Sequence, residues 1–273
     1  MPLKRDNMTL NDYDVRTADT LYVQDRGVQV SYRLSQILIN VGPIITFTLF
    51  WSYSQEIYAF CLNQENTEVS EKLKRPFEPR LSQSLAFWMA ILHFTKRVVE
   101  SVFIHFYSKP SKSLNVIMKE VGYFWLFFGI LVPFYLLHPL YREAPFLTKF
   151  FDAGAHLAFY VNWAFFGVFL FAELMNLLCH LHLRSFRKAD HDFTRQVPRF
   201  HGFSVVACAN YFWEFIAWIA FFCVTQTLLS GLFLALSFFR MNHRAHRKHH
   251  RYIAQFKKQY PAEQRYYFIP YLF

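Results

Sequence analysis

Glycine, cysteine and signal-peptide features are scarce in this sequence, and each absence excludes a class of protein. Only 8 of the 273 residues are Gly, and no GxGxxG motif is present, which excludes a dinucleotide site of the Rossmann type. The four Cys form no CxxC pair and lie in or beside apolar runs, as expected of buried thiols rather than disulfides or zinc ligands. The first 20 residues hold four Asp and no apolar core, unlike a signal peptide or a mitochondrial presequence.

Apolar and aromatic side chains are abundant instead. Apolar residues make up 54% of the sequence and aromatic residues 21%, including 34 Phe. Arranged in long runs, this composition indicates a membrane protein rather than a soluble domain. The formal net charge is +10. The polar segments are therefore expected to meet something anionic, which is a phospholipid headgroup, a nucleotide or an acidic partner.

The apolar runs predict an all-α, polytopic membrane bundle of about six transmembrane helices, because about 20 apolar residues cross the hydrocarbon. The predicted helices lie at roughly 34–62, 84–107, 120–140, 153–183, 203–224 and 225–241. The last two form one continuous stretch, which we divide near Thr225, Gln226 and Thr227, since these residues favour a polar turn. A single long tilted helix is the alternative.

The distribution of Lys and Arg predicts the orientation. With six crossings, one side holds 21 of the 29 Lys and Arg residues and the other side 6, as the positive-inside rule expects. Both termini then face the cytosol or, in mitochondria, the matrix. We divide the chain into a polar arm, 1–33, and a membrane domain, 34–273, with a basic tail. Because such an arm buries too little apolar surface to order alone, we expect protein partners to hold it.

Charged and polar side chains recur within three of the predicted helices, although each costs several kcal/mol unless it pairs or lines a wet cavity. They fall at spacings of three or four, and so on one face of each helix. The stripes are Lys96, Arg97 and Glu100; Glu173, Asn176, His180 and Arg184, continued by Arg187; and Asn210 and Glu214. They predict a polar cavity that opens toward the basic side. The alternative is that the pairs only fix the register of the helices.

The stretch HRAHRKHHRY, 243–252, follows the last apolar run and allows several interpretations. Its HxxHH portion resembles one histidine box of membrane di-iron desaturases, but no second box is present, so we predict no metal site. Nucleic-acid binding is not expected either, because a basic tail behind a membrane helix usually meets lipid. Contact with the bilayer and its anionic phospholipids, and binding of a phosphate, remain open.

Several blocks in a fixed order resemble the steroid 5α-reductase superfamily and, within it, the very-long-chain trans-2-enoyl-CoA reductase branch. The resemblance covers about 230 residues from Gly42 to the C-terminus. The blocks are GPIITFTLF from Gly42, HFTKRVVESVFIHFYS from His93, HPLY from His138, NLLCHLHLRSFR from Asn176, CANYFWEFIAWIAFFCVTQ from Cys208 and HHRYIAQFKKQYPAEQRYYFIPYLF from His249.

This resemblance implies an NADPH-dependent reduction of a carbon–carbon double bond conjugated to a thioester, with an acyl-CoA as substrate. In an active enzyme, Lys96 would stabilise the enolate, Arg97 would be a second catalytic residue, and Tyr211 would serve as a substitute for the family's proton donor. The resemblance also implies a cofactor site in which Arg and His side chains meet the phosphates. The cofactor-binding residues would be Asn176, His180, Arg184, Arg187, Asn210, Glu214, Arg244, His249 and Tyr252.

The sequence departs from the family pattern at positions that matter for catalysis. The H-Y-x-K-R block has Phe94 in place of Tyr, and the N-Y-x-Y-E block has Trp213 in place of Tyr, a residue that is no acid near neutral pH. Phe106 replaces a basic residue. The acidic residue expected just before Gly42 is absent, and Ile39, Asn40 and Val41 stand there. A short arm stands where the enoyl reductases have a ubiquitin-like domain.

These departures favour a catalytically degenerate relative of the enoyl-CoA reductases that serves as an accessory subunit of a larger membrane complex and retains a nucleotide or lipid. The alternative is an active NADPH-dependent trans-2-enoyl-CoA reductase of fatty-acid elongation, or a related sterol reductase. Family precedent suggests the endoplasmic reticulum, whereas a complex subunit would also suit the mitochondrial inner membrane.

Overall fold

Helices make up nearly all the secondary structure in the computed structural model, which describes residues 25, 27–61, 76–141, 155–190, 192, 195–261 and 265–271. The helices are α1 (Tyr32–Ser52), α2 (Ser54–Cys61), α3 (Leu81–Val99), α4 (Leu114–Leu136), α5 (Ala155–Ser185), α6 (Ala209–Thr225) and α7 (Leu228–Phe256). Most of the polar arm that we predicted at 1–33 lies outside the described residues.

The predicted all-α membrane bundle is confirmed. Three of the described helices, α1, α4 and the Leu157–Ser185 part of α5, are long and apolar enough to cross a membrane, and α6 is a shorter apolar helix. Two helices contain π-helical turns: α3 continues as Glu100–Ile104, and Gly122–Leu131 forms the middle of α4. Such turns widen the helix locally and are frequent at functional sites.

The first predicted helix, 34–62, is wrong as a single element. The structure ends α1 at Ser52 and restarts as α2 at Ser54. The break between α1 and α2 is explained by the C-terminal end of α4. The last carbonyl groups of a helix have no partner within the helix, and lipid offers no hydrogen-bond donor to them. Ser54 donates a hydrogen bond to Leu137 O at 2.9 Å, and the hydroxyl of Tyr58 donates to Phe134 O. The chain changes direction so that α2 reaches these carbonyls.

The predicted break between the last two helices is confirmed, so the alternative of one long tilted helix is excluded. Gln226 adopts a left-handed backbone conformation with φ 48°, and the Thr227 side chain accepts a hydrogen bond from Ser230 N at 3.2 Å, which caps α7. Helix α7 covers most of the predicted membrane segment 225–241 and extends beyond its end. The helix runs on to Phe256, so the basic stretch 243–252 is helical throughout.

A small sheet ties two loop segments together, an element that the sequence analysis did not predict. Strand β1 (Gln29–Ser31) pairs antiparallel with β2 (Ser111–Ser113), with Val30 opposite Lys112. The pairing fixes the start of α1 beside the start of α4. Among the described residues it is the only ladder longer than a single bridge, the bridge being Val206 to Tyr266.

The helices pack around a core of aromatic rings centred on Phe128 of α4. Its ring centroid lies 5.3 Å from Phe47 of α1, 5.2 Å from Phe94 of α3, 5.2 Å from Trp218 of α6 and 4.5 Å from Phe233 of α7. Such pairs contribute roughly 0.5–1.5 kcal/mol each beyond the area that they bury. One side chain thus connects five helices, which accounts for part of the high Phe content.

Close approach of α1 and α4 requires glycine at position 42. A Cβ at Gly42 would overlap the indole ring of Trp125, and that ring is held in place because Nε1 donates to Leu38 O at 3.0 Å. We expect Gly42→Ala to lower the free energy of unfolding by about 1–3 kcal/mol, since overpacking forces the helices apart. Thermal unfolding in detergent measures the effect. Gly167→Ala is the matched control, because nothing lies within 4 Å of its Cβ position and no loss is expected.

Candidate active site

A network of ion pairs joins α3 to α5 inside the bundle, and the Glu100 carboxylate, which is 0% exposed, is its centre. Its Oε2 accepts from Nη1 of Arg97 at 2.9 Å and lies 2.9 Å from Nδ1 of His180. Nζ of Lys96 lies 3.6 Å from Oε1. The π-helical turn begins at Glu100, on the face of α3 that meets α5. An isolated carboxylate would be very costly in so buried a position, and the network neutralises it.

The second carboxylate of the network, Glu173 of α5, holds two residues of α3. Its Oε1 lies 2.7 Å from Nδ1 of His93, and its Oε2 lies 2.6 Å from Nζ of Lys96. Because a carboxylate only accepts, Nδ1 of His93 donates, and Nε2 is the nitrogen that faces Glu214 at 3.8 Å. Glu173 therefore fixes both the tautomer and the orientation of His93.

Asn176 extends the network from α5 to α6. Its Oδ1 accepts from Nζ of Lys96 at 2.6 Å, and its Nδ2 donates to Asn210 O at 2.8 Å and reaches Glu214 Oε2 at 3.3 Å. The polar stripes predicted on three helices thus contact one another. These contacts fix helix register, as the structural alternative expects, and they also form one wall of a cavity.

The cavity has a volume of about 130 Å³ and receives side chains from α1, α3, α4, α5, α6 and α7. Six of the residues singled out from the sequence line it: Arg97, His180, Asn210, Tyr211, Glu214 and Arg244. Arg244 stands toward the outside, with its side chain 53% exposed, and its Nη2 lies 3.4 Å from Glu120 Oε1. The predicted polar cavity is therefore present, and Glu120 and Arg244 mark an outer edge.

Four other predicted residues lie away from the cavity lining. Lys96 and Asn176 face each other within the network behind the wall. Arg184 lies over the ring of Phe106, 4.8 Å from its centroid, and Arg187 donates to Phe106 O. Phe106, which replaces a basic residue of the family pattern, thus supports two arginines. The binding and catalytic roles given to these residues stay predictions.

His249 and Tyr252 also lie outside this cavity, where the described part of the tail folds back on α7. Nδ1 of His249 contacts the Tyr260 hydroxyl at 2.8 Å, and the rings of Tyr252 and Tyr260 lie 5.4 Å apart. Arg265 donates to Pro198 O at 3.0 Å. These contacts hold the tail against the loop that precedes α6, whichever ligand the stretch binds.

Burial raises the pKa of Tyr260 to about 12, against a smaller opposing effect of Arg265. Because the folded pKa lies above the unfolded value of about 10, the protein should lose stability as the pH rises from 10 to 12 and keep it below 10. We expect Tyr260→Phe to flatten that decline and to cost about 0.5–1.5 kcal/mol at neutral pH through loss of the bond to His249. Unfolding followed between pH 7 and 12 checks both; Tyr271→Phe, at an 84% exposed site, should change neither.

Several polar residues of the cavity wall were not among the predicted site residues: Gln36, Asn40, His93, Glu120, Tyr123, Ser237 and Arg240. His93 had a signal, because it precedes Lys96 by three and Glu100 by seven positions on one face of α3. Tyr123 had none, since it stands in an apolar run. Its hydroxyl lies 2.6 Å from Oγ of Ser237, and the Arg240 guanidinium lies 3.9 Å from its ring centroid.

The two positions at which the family pattern has Tyr, occupied here by Phe94 and Trp213, have different surroundings. Phe94 is 0% exposed and contacts Phe124 and Trp218, which line the cavity, so its ring lies directly behind the wall. Trp213 is not in the lining: its Nε1 donates to His201 O at 3.1 Å, and its ring meets Phe171 of α5 edge to face. The change at position 94 therefore bears more directly on the cavity than the change at 213.

One group of possible metal ligands occurs among the described residues, formed by Glu100, His105 and His180, whose ligand atoms lie within 4.8 Å of one another. Glu100 Oε2 already accepts from Arg97, and the Lys96 ammonium lies beside the same carboxylate. Arg97 and Lys96 therefore already neutralise the carboxylate charge that would attract a metal ion. We assign the group to the ion-pair network.

An integral membrane protein with a polar, ion-paired cavity between its helices is the class that this fold and site define. The sequence profile described as 3-oxo-5-alpha-steroid 4-dehydrogenase matches residues 110–273. The chain belongs to this family, as its sequence blocks predicted.

Named relatives place the chain near the enoyl-CoA reductases. It is 30% identical over 253 residues to the very-long-chain enoyl-CoA reductase of Dictyostelium discoideum, covering 93% of this chain and 74% of the relative. It is 30% identical over 265 residues to a putative enoyl reductase of Schizosaccharomyces pombe, with 95% and 78% covered. The human trans-2,3-enoyl-CoA reductase-like protein is 26% identical over 259 residues, with 93% and 65% covered. The chain is thus an enoyl-CoA reductase-like member of the family.

Proposed function

We propose that the protein reduces the double bond of a trans-2-enoyl thioester, an acyl-CoA, with NADPH as the reductant. The observation that carries the proposal is the position of His93 and Arg97. Both line the cavity, and each is held from behind by a buried carboxylate, Glu173 for His93 and Glu100 for Arg97. Rigid support of this kind is what a catalytic acid and an enolate-binding cation require. The enoyl-CoA reductases among the relatives support the substrate class.

The cavity suits part of a nicotinamide cofactor. Oδ1 of Asn210 is buried and has no hydrogen-bond partner among the described residues, so it offers an acceptor to a carboxamide NH₂ group. Arg240 and Arg244 offer guanidinium groups to phosphates near the outer edge. At about 130 Å³ the cavity is smaller than the roughly 300–1,000 Å³ of sites for drug-sized ligands, so the remainder of a dinucleotide must lie outside it. NADPH, when bound, supplies the hydride that adds to the β-carbon.

The side chains account for the charge and the proton. Hydride addition leaves negative charge on the thioester oxygen, which the Arg97 guanidinium stabilises. His93 donates a proton from Nε2 to the α-carbon. It keeps the proton on Nδ1, which donates a hydrogen bond to Glu173. Glu100, Glu173 and Glu214 carry one negative charge more than Lys96 and Arg97 carry positive. His93 lies between two of these carboxylates, Glu173 and Glu214, and this position favours its role as the proton donor.

Two predicted catalytic residues have different places in this scheme. Tyr211 lines the cavity and remains the alternative proton donor. Lys96, predicted to stabilise the enolate, has its Nζ within 2.6 Å of both Glu173 Oε2 and Asn176 Oδ1. We assign it the role of balancing the charge of Glu173, and so of positioning His93.

The second candidate function is a catalytically degenerate relative that acts as an accessory subunit. The specific observation in its favour is Phe94, which leaves an aromatic ring without a hydroxyl behind the cavity wall, where the family pattern has Tyr. Such a subunit would keep a nucleotide or lipid in the cavity and would copurify with its partners in fixed stoichiometry.

The first experiment is NADPH binding and turnover of a trans-2-enoyl-CoA by the purified protein in lipid nanodiscs. The proposal expects saturable binding, weakened by Asn210→Ala, and consumption of NADPH equal to the saturated acyl-CoA formed. Binding without turnover would support the degenerate relative. The absence of both binding and turnover would contradict the cofactor assignment, provided that a thermal unfolding curve shows the protein to be folded.

The changed phenol positions provide a matched pair of variants. We expect Phe94→Tyr to alter turnover, because it places a hydroxyl among rings that border the cavity. An increase of about tenfold or more would show that the missing phenol limits catalysis. Trp213→Tyr should change turnover less than threefold, since this side chain faces His201 and Phe171. An equal response of the two variants would contradict the geometric distinction between the positions.

The compartment and the partners are proposed from family precedent and charge. We place the protein in the endoplasmic reticulum membrane or, as a complex subunit, in the mitochondrial inner membrane, with both termini in the cytosol or matrix. The basic segments meet anionic phospholipids, and protein partners hold the polar arm; nucleic acid is no partner. Protease protection of tags at each terminus in sealed vesicles tests the orientation, because opposite protection of the two ends would contradict it.

A further inference from the structure

The histidines of the stretch 243–252 have two separate environments on α7. His249 is buried and contacts the Tyr260 hydroxyl through Nδ1. His246 and His250 are exposed, stand four positions apart, and bring their Nε2 atoms within 3.0 Å of each other. The ring of Tyr267 packs near His246, 5.3 Å between centroids. Nothing in the proposed reduction uses this pair.

From this geometry we propose that His246 and His250 form a chelating site for a divalent transition-metal ion such as Cu²⁺, Ni²⁺ or Zn²⁺. Imidazole nitrogen is a preferred ligand of these ions, and two His at i, i+4 on one helix face are a known metal-binding arrangement. Metal–nitrogen bonds of about 2.0–2.1 Å at tetrahedral or octahedral angles place two ligand nitrogens roughly 2.9–3.4 Å apart. The pair already has that separation, so binding requires little rearrangement, and water completes the coordination.

The sequence predicted no metal site in this stretch, because the second histidine box of a di-iron centre is absent, and the proposed site departs from that prediction. A di-iron centre needs several histidine boxes, whereas a mononuclear two-imidazole site needs only one helix turn. It also differs from the group of Glu100, His105 and His180, where two cations already neutralise the carboxylate. At His246 and His250 no ion pair with a described residue has to be broken. The proton shared by the two Nε2 atoms is released to water or to Nδ1 of the same ring, so that both Nε2 atoms can bind the ion. The neighbouring Arg247 and Arg251 repel a dication, so the affinity is modest and follows the Irving–Williams order, with Cu²⁺ bound most tightly.

Titration calorimetry with Cu²⁺ and Zn²⁺ tests the site on the full-length chain in nanodiscs after removal of any polyhistidine tag. The expected result is one ion per chain, with Cu²⁺ tighter than Zn²⁺. His246→Ala and His250→Ala should each weaken binding at least about tenfold, since loss of a ligand costs no less than the 10–100-fold that loss of a supporting group costs. Electron paramagnetic resonance of the Cu²⁺ complex should show coupling to two nitrogens.

His243→Ala is the matched control, since His243 is also exposed and lies one turn earlier on α7. Its expected effect is less than threefold, because only the 246/250 pair has its nitrogens together. Equal weakening by His243→Ala would overturn the two-residue site. Absence of stoichiometric binding to the wild type would show that the 3.0 Å contact is a hydrogen bond alone, and binding retained in both pair variants would place the ion elsewhere.

Discussion

Replacing Glu100 with Ala is expected to lower the free energy of unfolding by about 3–5 kcal/mol, the loss typical of removing one partner of a buried ion pair. Arg97 donates to this carboxylate, which is itself 0% exposed, and Lys96 and His180 lie within 3.6 Å and 2.9 Å of it. Without Glu100 the Arg97 guanidinium, whose side chain is 21% exposed, loses the one carboxylate that contacts it among the described residues. Thermal or denaturant unfolding of the protein in detergent micelles measures the effect.

Two variants make this expectation specific. Glu100→Gln keeps the size of the side chain and an acceptor for Arg97, so it should lose less than Glu100→Ala. Asp190→Asn breaks the Arg33–Asp190 pair, whose side chains are 37% and 40% exposed, and should change stability by no more than about 1 kcal/mol. An Ala variant as stable as the Asp190 variant would mean that water or a shifted side chain neutralises Arg97.

The second large effect is expected in catalysis. His93→Gln should lower kcat by about 10²–10⁴-fold, the usual contribution of general acid catalysis, while the dissociation constant for NADPH changes little. Gln has a similar reach and can still hydrogen-bond to Glu173, so the variant removes the transferable proton and retains a polar side chain. Turnover of enoyl-CoA and NADPH binding, measured on the same preparation, separate the two effects.

Tyr211 provides the competing assignment. If His93 is the proton donor, Tyr211→Phe should reduce kcat less than tenfold. A loss confined to Tyr211→Phe would transfer the role to the phenol. Glu173→Gln should also lower kcat, although Lys96 and His93 are both unchanged in this variant. The reason is that Glu173 positions His93 and does not itself contact the substrate.

Local patterns in the sequence predicted much of the membrane domain. Apolar runs located the helices to within a few residues at most ends, and Thr225, Gln226 and Thr227 located the turn between α6 and α7. Spacings of three and four identified Glu173, Asn176 and His180 as one face of α5. These features depend on neighbours along the chain, on helix periodicity and on the cost of polar groups in lipid.

Long-range pairing was outside the reach of such patterns. The split of α1 from α2 depends on carbonyls at the end of α4, more than 75 positions away, that Ser54 and Tyr58 satisfy. Tyr123 looks like one more aromatic in an apolar run, and only the position of α7 gives it Ser237 and Arg240 as partners.

The sequence by itself determined the membrane class, the family and the charged stripes, because hydrophobicity and residue spacing act locally. The tertiary structure decided which stripe residues face the cavity and which face one another. It placed Lys96 against Glu173, turned Trp213 away from the cavity, and separated His249 from His246 and His250. The physical reason is that a buried charge adopts the partner that neutralises it, and that partner lies on another helix whose position depends on the packing of the whole bundle.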